Sequence, residues 1–221
     1  MKIKTKELAI NKIHKFDCIE GLKKLKDKSV QLSLVDPPYN VDLKYVSYDD
    51  KQDRDTYKKW CAEWFKELRR VTDGIILITP GSNNLDLWFG IEKPKWMIMW
   101  TKRNANSPNY AGGINCWEPI LYYITTEKLR HRVGIDVIEQ NISMQRGIGS
   151  HPCPKPLKLF RKLVDKYSNE GDTVLDCFMG SGTTACAAKQ LGRNFIGFET
   201  EEEYNKIANE RLKQKVVEDW F

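Results

Sequence analysis

The sequence predicts an α/β fold: a mostly parallel sheet with helices on both faces. Three observations predict it. Short apolar runs alternate along the chain with longer amphipathic runs, the succession of a βαβ architecture. Two of the apolar runs lead straight into loops of special chemistry, Asp36-Pro37-Pro38-Tyr39 and Gly180-Ser181-Gly182, and in open parallel sheets the loops after strands carry the ligand sites. The length, 221 residues, suffices for one well-buried domain and is short for two.

In chain order, strands are expected over residues 12–16, 31–35, 74–79, 96–101, 119–124, 173–177 and 194–198. Helices are expected over 19–25, 57–71, 84–89, 156–167, 183–191 and 201–213. The strands rest on brief apolar runs, the helices on apolar residues recurring three and four apart. Leu157, Phe160, Leu163 and Val164, for example, give one helix an apolar face for the core. Three stretches resist assignment. Residues 41–55 are polar and aromatic without a period, 103–116 are rich in Asn and Gly, and 125–150 are polar and basic with Gly134, Gly147 and Gly149. Loops of that length inside a domain are usually functional or mobile.

Composition excludes several classes. No apolar run approaches the roughly 20 residues that span a bilayer, and the basic N-terminus lacks the apolar core of a secretory signal. A cytoplasmic protein without membrane association is the expectation. The six cysteines (Cys18, Cys61, Cys116, Cys153, Cys177 and Cys186) form no C-x-x-C pair, and His14, His131 and His151 are scattered. Buried free thiols and no metal site follow. The net charge of +6 is local: residues 101–166 hold 11 Lys+Arg against 5 Asp+Glu, and the rest is balanced. Such an excess fits a polyanionic partner, with Lys102, Arg103, Arg130, Arg132 and Arg146 as candidate phosphate contacts.

The segment from Thr173 to Ala185, TVLDCFMGSGTTA, reads as strand, tight loop and helix start. Gly180 and Gly182 let the backbone turn sharply and approach a ligand closely. Thr183 and Thr184 open a helix whose free N–H groups face the crevice. Asp176 ends the strand, and Glu199 closes the next one, where a carboxylate accepts ribose hydroxyls of a nucleoside cofactor. Gly180-x-Gly182-x-x-Ala185 also satisfies the dinucleotide fingerprint, a weak signal alone. An acidic Asp176 before the loop opposes a pyrophosphate and suits a cation such as the sulfonium of S-adenosylmethionine.

The segment QLSLV ending at Val35 runs into Asp36-Pro37-Pro38-Tyr39-Asn40. Two prolines fix the turn and supply no N–H, and Asp36 before proline is biased to an extended conformation. A carboxylate, free carbonyl acceptors and an aromatic ring thus meet at one strand end. Exocyclic amine chemistry needs that set. The amine lone pair of adenine or cytosine is conjugated with the ring, and two acceptors on its N–H bonds localise it on nitrogen. The base must leave the duplex to react and stack on an aromatic ring, worth about 1–3 kcal/mol. Asp36 and the Pro37 carbonyl are expected to take the amine, Pro38 to stiffen the turn, and Tyr39 to supply the stack.

The ordered set of segments has a family resemblance. Phe16-Asp17-Cys18-Ile19-Glu20-Gly21-Leu22, then Asp-Pro-Pro-Tyr, then Trp117-Glu118-Pro119-Ile120-Leu121-Tyr122, then His151-Pro152-Cys153-Pro154-Lys155-Pro156, then the glycine loop, resembles the N6-adenine and N4-cytosine DNA methyltransferases in the permuted order called the β group. The similarity covers nearly the whole chain. It implies a single-domain, Rossmann-like, circularly permuted methyltransferase fold on a mostly parallel seven-stranded sheet. Residues 1–124 would form the catalytic half, 125–150 a short target-recognition insert and 151–221 the cofactor half. It implies that the strands before Asp36 and Gly180 are parallel neighbours, with the strand before Glu199 next and the strand before Asp17 beyond it. It implies a contact of Asp17 with the cofactor's adenine amine, and a cleft drawing also on Asp176, Phe178, Gly180, Ser181, Gly182, Thr183 and Glu199. Lys155 would lie near the methionine end, and segment 117–122 would help form the base pocket. Double-stranded DNA is the implied partner. A homodimer and a cognate restriction endonuclease are further candidates that the sequence itself does not display. The insert is short for this group, so loops 41–55 and 103–116 or a second subunit would share in sequence recognition.

An acidic first residue in the proline loop favours adenine N6 over cytosine N4. An RNA substrate, a nicotinamide dehydrogenase and an inactive nucleic-acid-binding module are the alternatives. The second has no use for Asp-Pro-Pro-Tyr, and every motif residue the third would lack is in place.

Overall fold

In the computed structural model, which describes residues 8–43, 48, 50–109, 111–127, 134–142 and 155–214, eight strands form one sheet in the order β1-β8-β7-β2-β3-β5-β4-β6. They are β1 (Lys12–His14), β2 (Val30–Val35), β3 (Thr72–Ile78), β4 (Trp96–Thr101), β5 (Trp117–Ile124), β6 (Val137–Glu139), β7 (Thr173–Asp176) and β8 (Asn194–Phe198). Only β5 runs against its neighbours, pairing antiparallel with β3 and β4. β2 pairs parallel with β7, with Leu32 opposite Val174 and Ser33 opposite Leu175. β8 follows on β7, and β1 on β8. The expected neighbour order of the four site-bearing strands is therefore the observed one.

The alternation of side chains across a strand builds two apolar layers. Leu32, Leu34, Ile75 and Leu77 face the layer that holds Leu159, Phe160, Leu163 and Ala185, from α4 (Leu157–Tyr167) and α5 (Thr183–Gln190). Val35, Ile76 and Ile78 face the other, with Leu22, Trp64, Phe65 and Trp88 from α1 (Cys18–Lys23), α2 (Arg54–Val71) and α3 (Leu85–Ile91). α6 (Glu202–Lys213) follows β8. α2 buries Tyr57, Cys61, Trp64, Phe65, Leu68 and Val71, a helical stripe in which each large apolar side chain contributes about 1.5–3 kcal/mol. Among the described residues no helix is long and apolar enough to cross a membrane.

The structure corrects several expectations. The sheet has an eighth strand: β6 pairs parallel with β4 inside the stretch 125–150 that showed no period. Three residues are too few for alternation to register in a sequence. α2 starts three residues earlier than expected, because the Asp53 carboxylate accepts the Thr56 N–H at 3.0 Å and caps it, an interaction worth about 1 kcal/mol. β1 stops at His14, two residues short of the expected end. Cys18, Cys61, Cys177 and Cys186 are buried free thiols, but Cys116 is exposed. Arg130, Arg132, Arg146, His151 and Cys153 lie outside the described residues.

Candidate active site

β2 ends at Val35, and the prolines that follow end its ladder. Two long-range donors hold the loop. The Tyr57 hydroxyl of α2 donates to the Pro38 carbonyl at 2.6 Å, and Asn84 Nδ2 donates to the Tyr39 carbonyl at 2.8 Å. Among the described residues no donor meets the carbonyls of Asp36 and Pro37, as the proline turn led one to expect. Asn40, at φ +57°, exchanges two bonds with the backbone of Gln52. Buried Asp50 accepts the N–H groups of Asn40, Val41 and Leu43. Part of loop 41–55 is therefore a scaffold for the catalytic candidates.

The Asp36 carboxylate is held from three sides. Oδ1 accepts the hydroxyl of Tyr39 at 2.7 Å and that of Thr79, and Oδ2 accepts Lys155 Nζ at 2.9 Å. Thr79 is buried and follows β3, the strand beside β2. An ionised carboxylate has about four acceptor positions, so one remains. Burial, helped by the charge of Asp36, holds the Tyr39 hydroxyl well above the usual phenol range, so it stays a donor. Burial works against the Lys155 ammonium, but Asp36, Tyr39 and Glu118 outweigh it and keep the group charged.

One cavity joins this loop to the glycine loop. Its lining includes Asp17, Asp36, Pro37, Pro38, Tyr39, Lys155, Asp176, Phe178, Gly180, Ser181, Thr183 and Glu199. Asp17 caps α1, its Oδ1 accepting the N–H of Ile19 at 2.9 Å. Asp176 is buried at the end of β7, with Oδ2 accepting the Thr184 hydroxyl at 2.5 Å and Oδ1 the Phe178 N–H at 2.9 Å. Burial pushes its carboxyl up to about 7; the two donors pull it down, and Asp36 and Glu199 push it further up. Glu199 accepts the N–H of Gly180 at 2.6 Å through one oxygen and that of Glu201 at 2.8 Å through the other. Each oxygen keeps a lone pair. Burial raises this carboxyl too.

Gly182 is absent from that lining, and here the sequence reading needs correction. At φ +84° a Cβ on Gly182 would lie 2.7 Å from Ala208 Cβ and 3.0 Å from Ala208 Cα, so the missing side chain makes room for α6 rather than for a ligand. From α6, Arg211 donates to the Ser181 carbonyl at 2.6 Å and clamps the loop. Lys102 is a second correction. It is buried, with Nζ 2.6 Å from Glu118 Oε1 and 5.0 Å from the Trp100 ring centroid, and is no surface phosphate contact. Arg103 is exposed but paired with Glu139 at 2.8 Å. Thr79, Tyr57, Asn84, Asp50 and Arg211 escaped the sequence reading. Only Asp50, an Asp close behind a turn rich in Asn and Asp, carried a local signal.

A protein-family model described as DNA methylase matches residues 30–210. The chain is 30% identical to Type II methyltransferase M1.MboII of Moraxella bovis, over 94% of this chain and 98% of that one. It is 30% identical to Type II methyltransferase M.HinfI of Haemophilus influenzae, over 93% and 69%. Among solved structures, a complex of M1.HpyAVI with S-adenosylmethionine superposes with a TM-score of 0.69 at 28% identity, covering 92% of this chain and 99% of the other. The PvuII cytosine-N4-specific DNA methyltransferase superposes with 0.76 at 17% identity, covering 96% and 90%, a likeness of fold.

Proposed function

The chain belongs to the DNA methylase family of the N6-adenine and N4-cytosine type, and from that premise we propose that it methylates adenine N6 in double-stranded DNA, with S-adenosylmethionine as donor. One observation carries the reading. At the strand ends of neighbouring β2 and β7, Asp36, which keeps one acceptor position, and Pro37, whose carbonyl meets no donor among the described residues, line the same cavity as Asp176 and Glu199. Two acceptors match the two N–H bonds of an exocyclic amine.

The cofactor fits the residues present. Two buried carboxylates line the cleft, and a cation with a nucleoside end uses both: Asp176 for the positive end, Glu199 for the ribose, Asp17 for the adenine amine. When bound, it supplies a methyl group on an electrophilic sulfonium. The chain's own residues do the rest. Asp36 and Pro37 hold the amine and localise its lone pair, Tyr39 stacks the flipped base, and the cavity walls keep both partners in line, the main source of rate in such a transfer. An acidic residue at position 36 supports adenine over cytosine. The Type II designation of both curated relatives supports a place in restriction–modification beside a cognate endonuclease.

The test is direct. Duplex DNA of mixed sequence is incubated with methyl-labelled cofactor and digested to nucleosides. Label in N6-methyl-2′-deoxyadenosine is expected. Label in N4-methyl-2′-deoxycytidine overturns the base assignment alone, and label entering RNA in preference to DNA overturns the substrate.

Asp176 gives a pH prediction. A cationic ligand favours its ionised form, so binding releases a proton below about 7. Affinity for S-adenosylmethionine is expected to rise with pH by up to about tenfold per unit and to flatten above that point. Stability of the free protein runs the other way. The fold keeps a proton that the unfolded chain has lost, so this contribution fades as pH rises from the ordinary carboxylate range to about 7. Calorimetric titration across that range checks the first trend. An affinity independent of pH, or an Asp176→Asn variant with the same dependence, would count against it.

A further inference from the structure

We propose that Lys155 is a positioning residue for Asp36: its ammonium group aims the carboxylate at the target amine, and it is not a separate contact to the cofactor. The inference rests on the reading of Asp36 as an amine acceptor. It reassigns a residue that sequence resemblance places with the methionine end of the donor.

Three observations carry it. First, Lys155 Nζ lies 2.9 Å from Asp36 Oδ2 with its side chain only 10% exposed, so the charge is spent inside the protein. Second, the same nitrogen stands 4.9 Å from the Tyr39 ring centroid. A cation over that ring is attracted by its face, and one lysine thus touches both side chains of the proline loop assigned to the base. Third, the acceptor count leaves no slack. Tyr39 and Thr79 fill Oδ1, so Oδ2 must receive the amine. Lys155 occupies one of the two positions on Oδ2, which restricts an incoming N–H to the other.

The placement of Lys155 in the fold suits that task. It sits immediately before Pro156, the residue that starts α4, and α4 is anchored in the core by Leu159, Phe160, Leu163 and Val164. The ammonium group is therefore fixed by an element other than β3, the strand that Thr79 follows. Lys155 and Thr79 hold the carboxylate from opposite chain segments, and neither belongs to the loop itself. The charges nearby are balanced: Asp36 and Glu118 are negative, Lys155 and Lys102 positive, with Glu118 paired to Lys102. Removing Lys155 leaves Asp36 with hydroxyl donors on one oxygen and a partly buried carboxylate without a cation among the described residues.

The test separates this role from cofactor binding. Lys155→Met removes the charge and keeps much of the bulk. It is expected to lower kcat for DNA methylation by tenfold or more, with the KM for S-adenosylmethionine changed by less than about twofold. Lys155→Arg keeps a cation and is expected to restore a large part of kcat. A KM that rises tenfold while kcat holds would overturn the proposal and return Lys155 to the cofactor. A folding defect is met by a double-mutant cycle. With Asp36→Asn in place there is no carboxylate charge to hold, so Lys155→Met is expected to change kcat far less than it does in the wild-type background. An undiminished effect there would also overturn the proposal. Failure of the underlying reading shows elsewhere, as an Asp36→Ala variant that still turns over.

Discussion

Asp36→Ala is expected to lower kcat for methyl transfer by about two to three orders of magnitude, with affinity for S-adenosylmethionine changed by less than about threefold. The reason is local. The substitution removes one of two acceptors for the amine, and the Pro37 carbonyl alone grips only one N–H. The loop itself survives, because the bonds that hold it use backbone groups: Tyr57 on Pro38 and Asn84 on Tyr39. Asp176 ends β7 and Glu199 directly follows β8, so the donor keeps its contacts. Asp36→Asn retains an acceptor oxygen and should fall between the two. Steady-state rates with duplex DNA and a separate calorimetric titration of the donor decide the matter. Equal turnover in Asp36→Ala would remove Asp36 from the chemistry.

Gly182→Val is expected to abolish measurable S-adenosylmethionine binding and to lower thermal stability. Two costs add. A β-branched residue at φ +84° is strained, a penalty on the order of 1–3 kcal/mol. The added carbon would also overlap Ala208, whose backbone Cα is only 3.0 Å away, so α6 must move. That helix carries Arg211, which holds the Ser181 carbonyl, and the loop loses its clamp. The mechanism makes a finer prediction. Gly182→Ala should be nearly as harmful as Gly182→Val, since the overlap begins at Cβ. Unfolding curves and donor titrations of both variants check this, and retained affinity in either would sink it.

The legible parts of the site were the local ones. Asp36-Pro37-Pro38-Tyr39 and the glycine loop are read from a few adjacent residues, and their meeting follows from the strand order that the family resemblance implies. The parts that could not be read depend on contacts made across the fold. Thr79 looks like the end of an apolar strand and nothing in its neighbourhood points to Asp36. Lys102 looks like one more surface charge in a basic stretch; only the β4–β5 pairing brings Glu118 to it. Lys155 is singled out by its place in a motif, but its ion pair with Asp36, 119 residues away, has no local sign. Gly182 was singled out correctly as a residue that must lack a side chain, but a sequence does not say what occupies the space. β6 carried no signal because it is short.

The order of strands also governs when the protein can become itself. Among the described residues β1 pairs with β8 alone, and β2 pairs with β7 on one side, yet β7 and β8 follow all the other described strands in the chain. In synthesis order, β1 and the strand before Asp36 therefore precede the two strands that lie between them in the sheet. Long-range pairing of this kind slows folding and prolongs exposure to aggregation. A nascent chain that stops short of β7 holds an Asp-Pro-Pro-Tyr loop without the Asp176 and Gly180 side of its cavity.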